Sequence, residues 1–428
     1  YIAVTAYKLN DFTPYIYKTD NYGKSWKHIV KGIDAQTFVR VVREDPAREG
    51  LLYAGTEAGM YVSFNDGDIW QSLQLNLPQV PITDLRVHDN DLIASTQGRS
   101  FWILDDLTPL QQLNKDTARA AIHVFKPKPS YRVFSSRRGH KPGKNPPDGV
   151  VLRYLLAKPP SSEGEPLMLE ILNSRGSVIR TFTSTPVEEE KEILVKGVRG
   201  DRPAPPLPVD AGLNSYVWDL KVERLTPVSN AIRYVSAEAY RVAPGIYTAR
   251  LSQNGKSVTQ KFDVLADPRR APISAKAWAH QQQLLANVWR DVNEVHKAAN
   301  STRLLTSQIE QLIEQNKDHL GIEAITKRAD ALLADLAAWE IHEPQAELPD
   351  GVQDYVSVPN RLLSTQYLYL KSAVDQDPPV TVGSEARYAE ISKEWASIKS
   401  DLNRILDSDL SKLNQLLRET GIDEVKVP

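Results

Sequence analysis

Five carboxylates lie close together in the sequence, in or beside turns between residues 84 and 106. They are Asp84, Asp89, Asp91, Asp105 and Asp106. Two carboxylates that face each other across a glycosidic bond could hydrolyse it. However, Asp89 and Asp91 flank a turn residue, and the other late pair follows a strand, where such side chains usually bond the backbone. The sequence therefore predicts no catalytic pair, and we assign no catalytic residue.

A better candidate for ligand binding is the set Arg99, Phe101 and Trp102. An arginine beside two aromatic rings is suited to hold a sugar or a peptide, particularly where strands of neighbouring sheets converge. The alternative is structural, with Trp102 packed between sheets and Arg99 paired with a carboxylate. Both interpretations fit the sequence, and the first predicts a carbohydrate or a protein as the ligand.

Other kinds of chemistry lack the residues that they need. The chain of 428 residues has no cysteine, and its eight histidines show no metal-ligand spacing, so we expect no metal site. No glycine-rich phosphate loop precedes a helix, so we expect no cofactor. The formal net charge of −2 argues against nucleic acid as a main partner. No run of about 18 apolar residues occurs, so the sequence predicts no membrane span.

The elements that carry these residues are organised by a repeated hairpin motif. Its first copy is Thr19, Asn21, Gly23 and Trp26, and its second copy is Ser63, Asn65, Gly67 and Trp70. The two tryptophans lie 44 residues apart, close to the length of one four-stranded propeller sheet. Short polar side chains and a glycine suit a tight turn, which the tryptophan then covers. The motif therefore predicts hairpins and carries no chemistry of its own.

This motif resembles the Asp-box, or BNR, repeat of sialidases, sortilin-type propellers and xyloglucanase-like glycoside hydrolases, whose pattern is Ser/Thr-x-Asp-x-Gly-x-Thr-Trp. Asn21 and Asn65 replace the aspartate, and Ile69 replaces the threonine of the second copy. The resemblance implies a β-propeller of four-stranded blades. It implies no particular activity, because such propellers include enzymes, receptors and scaffolds.

The segment 97–106, QGRSFWILDD, resembles the closing blade of large bacterial BNR-repeat proteins of the sortilin-like or glycosyl-hydrolase type. Residues 1–115 are predicted to form a little under three blades, the last ending in a strand at 110–114. Propellers close with roughly four to eight blades. Because open sheet edges aggregate, we expect the missing blades to come from upstream in the same polypeptide or from another chain. The alternative is a small open sheet or sandwich.

Residues 122–266 are predicted to form a β-sandwich of immunoglobulin or fibronectin type III kind. Proline clusters separate at least six short strands, and Tyr247, Ala249 and Leu251 alternate with polar neighbours as in a strand with one buried face. We expect all strand pairs to be antiparallel and the sandwich to act as a spacer. A basic loop at 135–144 is expected at the surface.

Residues 272–428 are predicted to form an antiparallel bundle of three or four helices. Ser274 caps a first helix of about 40 residues, and further helices cover about 322–339, about 360–374 and the segment after Gly383–Ser384. Each helix has one apolar stripe, which only packing against the others can bury. A long loop is expected at 343–359.

Two main functions remain open at this stage. In the first, the chain is the C-terminal part of an exported bacterial Asp-box propeller protein, periplasmic or at the cell surface, that acts as a scaffold or binds a ligand. In the alternative, the whole protein is a sialidase-like or xyloglucanase-like glycoside hydrolase whose active site lies in blades outside this chain. A peptide-binding propeller of the sortilin kind is a third, weaker hypothesis, since the chain lacks the cysteines of such receptors.

Overall fold

A computed structural model describes residues 1–133, 146–161, 164–187, 193–194, 203–228, 232–233, 235–340 and 363–427. In these residues the chain forms several small sheets, most of them antiparallel, followed by a helical C-terminal region. The loops expected at 135–144 and 343–359 lie outside the described residues.

Three antiparallel sheets occupy the N-terminal region. The first contains β1 (Ile2–Val4), β2 (Tyr15–Lys18) and β3 (Lys27–His28), the second β4 (Val39–Glu44), β5 (Leu52–Thr56), β6 (Gly59–Ser63) and β7 (Gln71–Ser72), and the third β8 (Ile82–His88), β9 (Asp91–Thr96) and β10 (Phe101–Leu104). Strands that follow one another in the chain are neighbours in each sheet. The first sheet has the three strands and the second sheet the four strands that the sequence predicted, whereas the third sheet lacks its expected fourth strand.

The second sheet is packed on both faces. Side chains alternate between the two faces of a strand, and Leu52 and Ala54 of β5 pack towards the first sheet. Tyr53 of the same strand and Met60 of β6 pack towards the third sheet. All five residues of β5 are buried. The three sheets thus form a stack in which the second lies between the other two.

The strand expected at 110–114 is wrong, because helices take its place. α1 (Thr108–Gln112) and α2 (Lys115–Arg119) follow β10 directly. Pro109 lies in the first turn of α1, where its fixed φ and missing N–H cost nothing. Asn114 caps α2 by accepting hydrogen bonds from two backbone N–H groups. Arg48 Nη1 donates to the carbonyl oxygens of Leu110 and Leu113, at 2.6 and 2.7 Å, and so holds the C-terminal end of α1.

Two sheets face each other in the middle of the chain. One has the order β11 (Ile122–Val124), β13 (Val150–Leu156), β17 (Gly212–Trp218), and the other the order β12 (Ser130–Arg132), β20 (Lys256–Ala266), β19 (Gly245–Gln253), β14 (Met168–Leu172), β15 (Val178–Thr183). Trp218 of the first sheet meets Tyr247 and Phe262 of the second edge-on, with ring centroids 5.5 and 6.0 Å apart. These rings lie in the core between the sheets.

The expectation that every strand pair in this part is antiparallel is wrong for two pairs. β12 runs parallel to β20, and the short β16 (Ile193–Leu194) runs parallel to β18 (Ile232–Arg233). Parallel pairing needs a long connection between the partners. The long stretch of chain between β12 and β20 supplies one.

The C-terminal region contains long helices. They are α3 (Ala275–Gln315), α4 (Ile322–Glu340), α5 (Leu363–Val374), α6 (Val382–Arg404) and α7 (Ser411–Thr420). Ser274 Oγ accepts a hydrogen bond from Ala277 N at 3.2 Å, as expected of the N-cap of α3. Thr381 caps α6 in the same way, so this helix begins before Gly383 rather than after it. A π-helical turn, Ile405–Leu410, continues α6 into α7, which the sequence did not predict.

The two facing sheets and the helices share one continuous core. Trp289 of α3 donates its indole N–H to Glu223 O at 2.8 Å, and Lys371 of α5 donates to Glu238 O at 2.8 Å. The guanidinium of Arg132, fully buried on β12, contacts Asp375 and Asp377 beyond α5 at 3.4 and 3.0 Å. These contacts fix the helices against the sheets. Among the described residues, no helix combines the length and apolar character needed to cross a membrane.

Candidate functional site

The first copy of the repeated motif forms a tight turn between β2 and β3. Thr19 Oγ1 accepts a hydrogen bond from Gly23 N at 2.9 Å and donates one to Asn21 Oδ1 at 3.0 Å. Asn21 Oδ1 also accepts from Ser25 N at 2.9 Å, and its amide donates to Ser25 Oγ at 2.8 Å. The neutral amide oxygen thus bridges the turn, so this position does not require a carboxylate.

The second copy repeats these contacts between β6 and β7. Ser63 Oγ accepts from Gly67 N at 2.9 Å, and Asn65 Oδ1 accepts from Ile69 N at 3.0 Å. Ile69 lacks a hydroxyl, so the amide of Asn65 loses the contact that Ser25 makes in the first copy. In both copies the polar atoms hold the turn itself, as the sequence predicted.

Each turn also contains a residue with positive φ that the sequence reading missed. Tyr22 has φ 57° and Asp66 has φ 61°, and each precedes the motif glycine. Asp66 accepts hydrogen bonds from Lys18 Nζ and from the hydroxyl of Tyr1, which ties the first sheet to the second turn. The dipeptide Asp66–Gly67 predicts the turn correctly, but it does not predict that both of its residues take a positive φ.

The two motif tryptophans have different surroundings. Trp70 is 2% exposed, and its indole N–H donates to Ile29 O at 2.8 Å, so the second copy is inserted against the first sheet. Trp26 is 43% exposed. The first copy therefore presents to solvent the group that the second copy buries between sheets.

The candidate binding residues Arg99, Phe101 and Trp102 do not form one cluster. Phe101 and Trp102 are neighbours on β10 and point to opposite faces of the third sheet. Trp102 packs towards the second sheet, and its indole N–H donates to Arg99 O at 3.1 Å, whereas Phe101 is 74% exposed. Arg99 is exposed, and its side chain forms no ion pair with a described residue. Ligand binding by these residues stays a prediction.

The carboxylates of this region hold structural contacts. Asp84 accepts from Arg43 Nη2 at 2.6 Å, and Asp91 accepts from Asp106 N at 2.8 Å. Asp106 is bonded by Arg153 of β13 and by Thr108 N. Asp89 and Asn90 both have positive φ and form the turn between β8 and β9. We find no arrangement of a catalytic pair among these groups.

A buried polar cluster that sequence reasoning missed joins the second sheet to α1. Asp45 is 3% exposed and accepts from the hydroxyl of Tyr53 at 2.9 Å and from Gln111 Nε2 at 3.1 Å. Burial and the neighbouring carboxylate raise the pKa of Tyr53, so this hydroxyl remains a donor. The sequence did not indicate this cluster. Asp45 stands alone after β4, and its partner Gln111 lies on a helix that was predicted as a strand.

Apolar side chains are exposed at both ends of the stack of three sheets. On the first sheet, Ile2 and Val4 are 44% and 42% exposed, beside the half-buried Tyr15 and Tyr17. On the third sheet, Phe101 and Ile103 are 74% and 56% exposed. We name these surfaces the first and third outer faces. The strands of these two sheets carry apolar residues on both faces, which is typical of sheets that are covered on both faces.

Two cavities are candidate ligand sites. One of about 420 Å³ lies between the turn at Asn173–Ser174, the segment 243–247 and the start of α3, with Trp278 in its wall. A smaller one, about 50 Å³, lies between the second and third sheets. Within the described part of the chain, no three histidine or acidic side chains gather in a way that could hold a metal ion.

No family model and no curated protein matches the chain. Among solved structures, the extracellular domain of a protein described as a one component system of B. thetaiotaomicron is 10% identical, with a TM-score of 0.17 over 59% of this chain and 28% of that chain. An extracellular domain described as part of a hybrid two component system of the same organism is 9% identical, with a TM-score of 0.19 over 60% of this chain and 29% of that chain.

Trypsin-activated alpha-2-macroglobulin of Escherichia coli is 18% identical, with a TM-score of 0.17 over 53% of this chain and 13% of that chain. The chain thus spans less than a third of the length of each of these proteins. TM-scores of this size do not indicate a shared fold.

Proposed function

We propose that residues 1–115 are blades of an Asp-box β-propeller that further β-structure completes, in an exported bacterial protein that acts as a scaffold or binds a ligand. The observation that carries this proposal is the pair of outer faces. The first exposes Ile2 and Val4, and the third exposes Phe101 and Ile103, although apolar clusters fill most of the space between the sheets. Further sheets at both ends would bury these residues.

The remaining parts suit supporting roles. The two facing sheets resemble an immunoglobulin-like sandwich in having a tryptophan, Trp218, at the centre of the core. We propose that this sandwich spaces the propeller from a helical bundle that docks on a partner. We also propose a periplasmic or cell-surface location, because residues 1–115 resemble exported propeller proteins.

Site-specific photocrosslinking tests the propeller proposal. A photoreactive phenylalanine at position 26 would lie on the half-exposed side of the first motif turn, and one at the exposed Tyr131 of β12 serves as the control. In the cell that makes the protein, we expect position 26 to crosslink to a β-strand segment from outside residues 1–428. Crosslinks to helical segments only, or equal yields from both positions, would contradict the proposal.

The hydrolase alternative receives no support from the described carboxylates, which hold turns and ion pairs. We expect the chain to hydrolyse neither aryl glycosides nor xyloglucan. Release of reducing sugar at a rate that falls when Asp84 or Asp106 is replaced by asparagine would show that these groups are catalytic after all.

A further inference from the structure

Trp70 lies in a site between the first and second sheets, which we call the first seat. Its walls are Ile16, Ile29 and Ile33 of the first sheet region and Leu52, Ala54 and Tyr61 of the second sheet. Two carbonyl groups hold the start of β7 in this site. Trp70 N donates to Lys31 O at 2.8 Å, and the indole N–H of Trp70 donates to Ile29 O at 2.8 Å.

One wall of the first seat recurs in the chain at the period of the motif. Adding the 44-residue spacing to the three isoleucines gives Met60, Leu73 and Leu77, which are all buried and apolar. Their backbone contacts recur as well. Ile29 N donates to Ile16 O at 2.9 Å, and Leu73 N donates to Met60 O at 2.9 Å.

The opposite wall recurs on the third sheet. Leu92 and Ala94 of β9 correspond to Leu52 and Ala54 of β5, since each pair lies on the inner face of the second strand of its sheet. Trp102 of β10 corresponds to Tyr61 of β6, because Trp102 pairs with Ala94 in the same register as Tyr61 with Ala54. We call the site between these two walls the second seat.

No tryptophan of the described residues occupies the second seat. In the same part of the chain the third sheet has no strand that corresponds to β7, because the chain enters α1 after β10. All six wall residues of the second seat line the cavity of about 50 Å³. Among the described residues, none donates a hydrogen bond to the carbonyl oxygens of Leu73 or Leu75, the counterparts of Ile29 and Lys31. The outer edge of β10 pairs with no described strand.

We propose that the second seat and the free edge of β10 bind a β-strand of another polypeptide, with a tryptophan of that strand placed between the second and third sheets. The strand adds to the third sheet by backbone hydrogen bonds, as β7 adds to the second. Its indole takes the position that Trp70 takes one sheet earlier. Because the second seat follows from the internal repeat alone, strand binding there does not depend on the three sheets belonging to a propeller.

The size of the cavity shows what must move. An engineered cavity that binds benzene has about 150 Å³, so 50 Å³ cannot admit an indole without adjustment. Leu75 lies at the mouth of the cavity and is 70% exposed. Because Leu75 has few packing contacts to lose, its movement aside opens the seat at little cost.

The chain itself supplies the probe for the test, a labelled peptide with the sequence of residues 67–74, GDIWQSLQ. Fluorescence anisotropy with the full chain should show saturable binding. Replacing the peptide's tryptophan by alanine should weaken binding about tenfold or more, as for other buried aromatic anchors. Hydrogen exchange of the amides of β10 should slow when the peptide is bound, because pairing protects them.

Two variants of the chain distinguish peptide binding at the second seat from nonspecific binding. Leu75→Glu places a charge at the mouth of the cavity and should weaken binding about tenfold. Ile69→Glu is the matched control, because Ile69 is also exposed, at 45%, and does not line the cavity. Failure of the peptide to bind at millimolar concentration, equal binding of the alanine peptide, or equal effects of both variants would each overturn the proposal.

Discussion

The two motif tryptophans show how position decides what one residue type contributes. Trp26 and Trp70 occupy the same place in the same turn, yet among the described residues only Trp70 has a sheet to pack against. The sequence shows the repeat and its turn chemistry, since both depend on local spacing. It does not show which copy is buried, because burial depends on what lies beside each sheet.

Alanine at these two positions should have unequal effects. Trp70→Ala removes a buried ring and its hydrogen bond to Ile29 O, and should lower the free energy of unfolding by about 3–5 kcal/mol. Trp26→Ala should cost about 1–2 kcal/mol, because 43% of the residue is already in water. Urea denaturation followed by circular dichroism measures both values, and equal losses would contradict the assigned environments.

Asp66 should make stability depend on acid. Partial burial raises the pKa of Asp66, but hydrogen bonds from Lys18 and Tyr1 outweigh it and hold the pKa below its usual 3.8. The ionised group therefore stabilises the fold above pH 3.8, and this contribution is lost as the pH falls through the lowered pKa. Asp66→Asn should cost about 0.5–1 kcal/mol at pH 7, since the pair is partly exposed.

The measurement is the difference in unfolding free energy between the wild type and Asp66→Asn at several pH values. This difference should shrink as the pH falls below 3.8. Asp20→Asn serves as the control, because Asp20 contacts the same Lys18 but is 75% exposed. A difference that stays constant down to the lowest pH would show that the carboxylate has no lowered pKa.

At the level of elements, residue spacing predicts best those helices and strands whose sequence signal lies within the element itself. The helical period and Ser274 predicted α3 closely, and alternation predicted β19 and β20. The reading of 110–114 as a strand was wrong because the partner that holds α1, Arg48, lies more than 60 residues away. The π-helical turn and α7 were not predicted, because the chain continues from α6 without any terminating glycine or proline.

The two motif glycines provide a matched pair at this level. Gly23 and Gly67 have φ of 85° and 83°, so alanine is strained at both, by about 1–2 kcal/mol. A Cβ at Gly67 would also lie 2.4 Å from Ile29 Cδ1, whereas one at Gly23 would lie 3.6 Å from the ring of Trp26. Gly67→Ala should therefore cost about 1–3 kcal/mol more than Gly23→Ala.

Thermal unfolding of both variants tests this difference. The additional loss in Gly67→Ala should largely disappear in the double variant Ile29→Val and Gly67→Ala, which removes the clashing methyl group. Equal losses in the two single variants would indicate that the second turn is not pressed against the first sheet.

At the scale of the whole molecule, the buried guanidinium of Arg132 links the facing sheets to the helices. Arg132→Met should lower the unfolding free energy by about 3–5 kcal/mol, because Asp375 and Asp377 would lose a buried charged partner. Burial raises the pKa of Asp375, so ionisation of this carboxyl in the variant should be especially unfavourable. The core shared by the sheets and helices could not be read from sequence, because each part shows a complete pattern of its own.

Differential scanning calorimetry measures this effect and also its cooperativity. We expect the single transition of the sheets and helices to separate into two in Arg132→Met. Arg250→Met is the control, because Arg250 pairs with Glu170 within one sheet and is 35% exposed, so its loss should cost about 1 kcal/mol or less. A single unshifted transition in Arg132→Met would contradict the linking role.

The contacts around α1 have a mechanical consequence. Asp106 is bonded by Arg153 of the neighbouring sheet, Gln112 Nε2 donates to Lys126 O at 2.9 Å, and Arg48 grips the end of α1. A pulling force applied at the helices would therefore reach the third sheet through these side-chain contacts rather than through the backbone alone. The segment 105–126 would resist separation of the third sheet from the facing sheets until these contacts break.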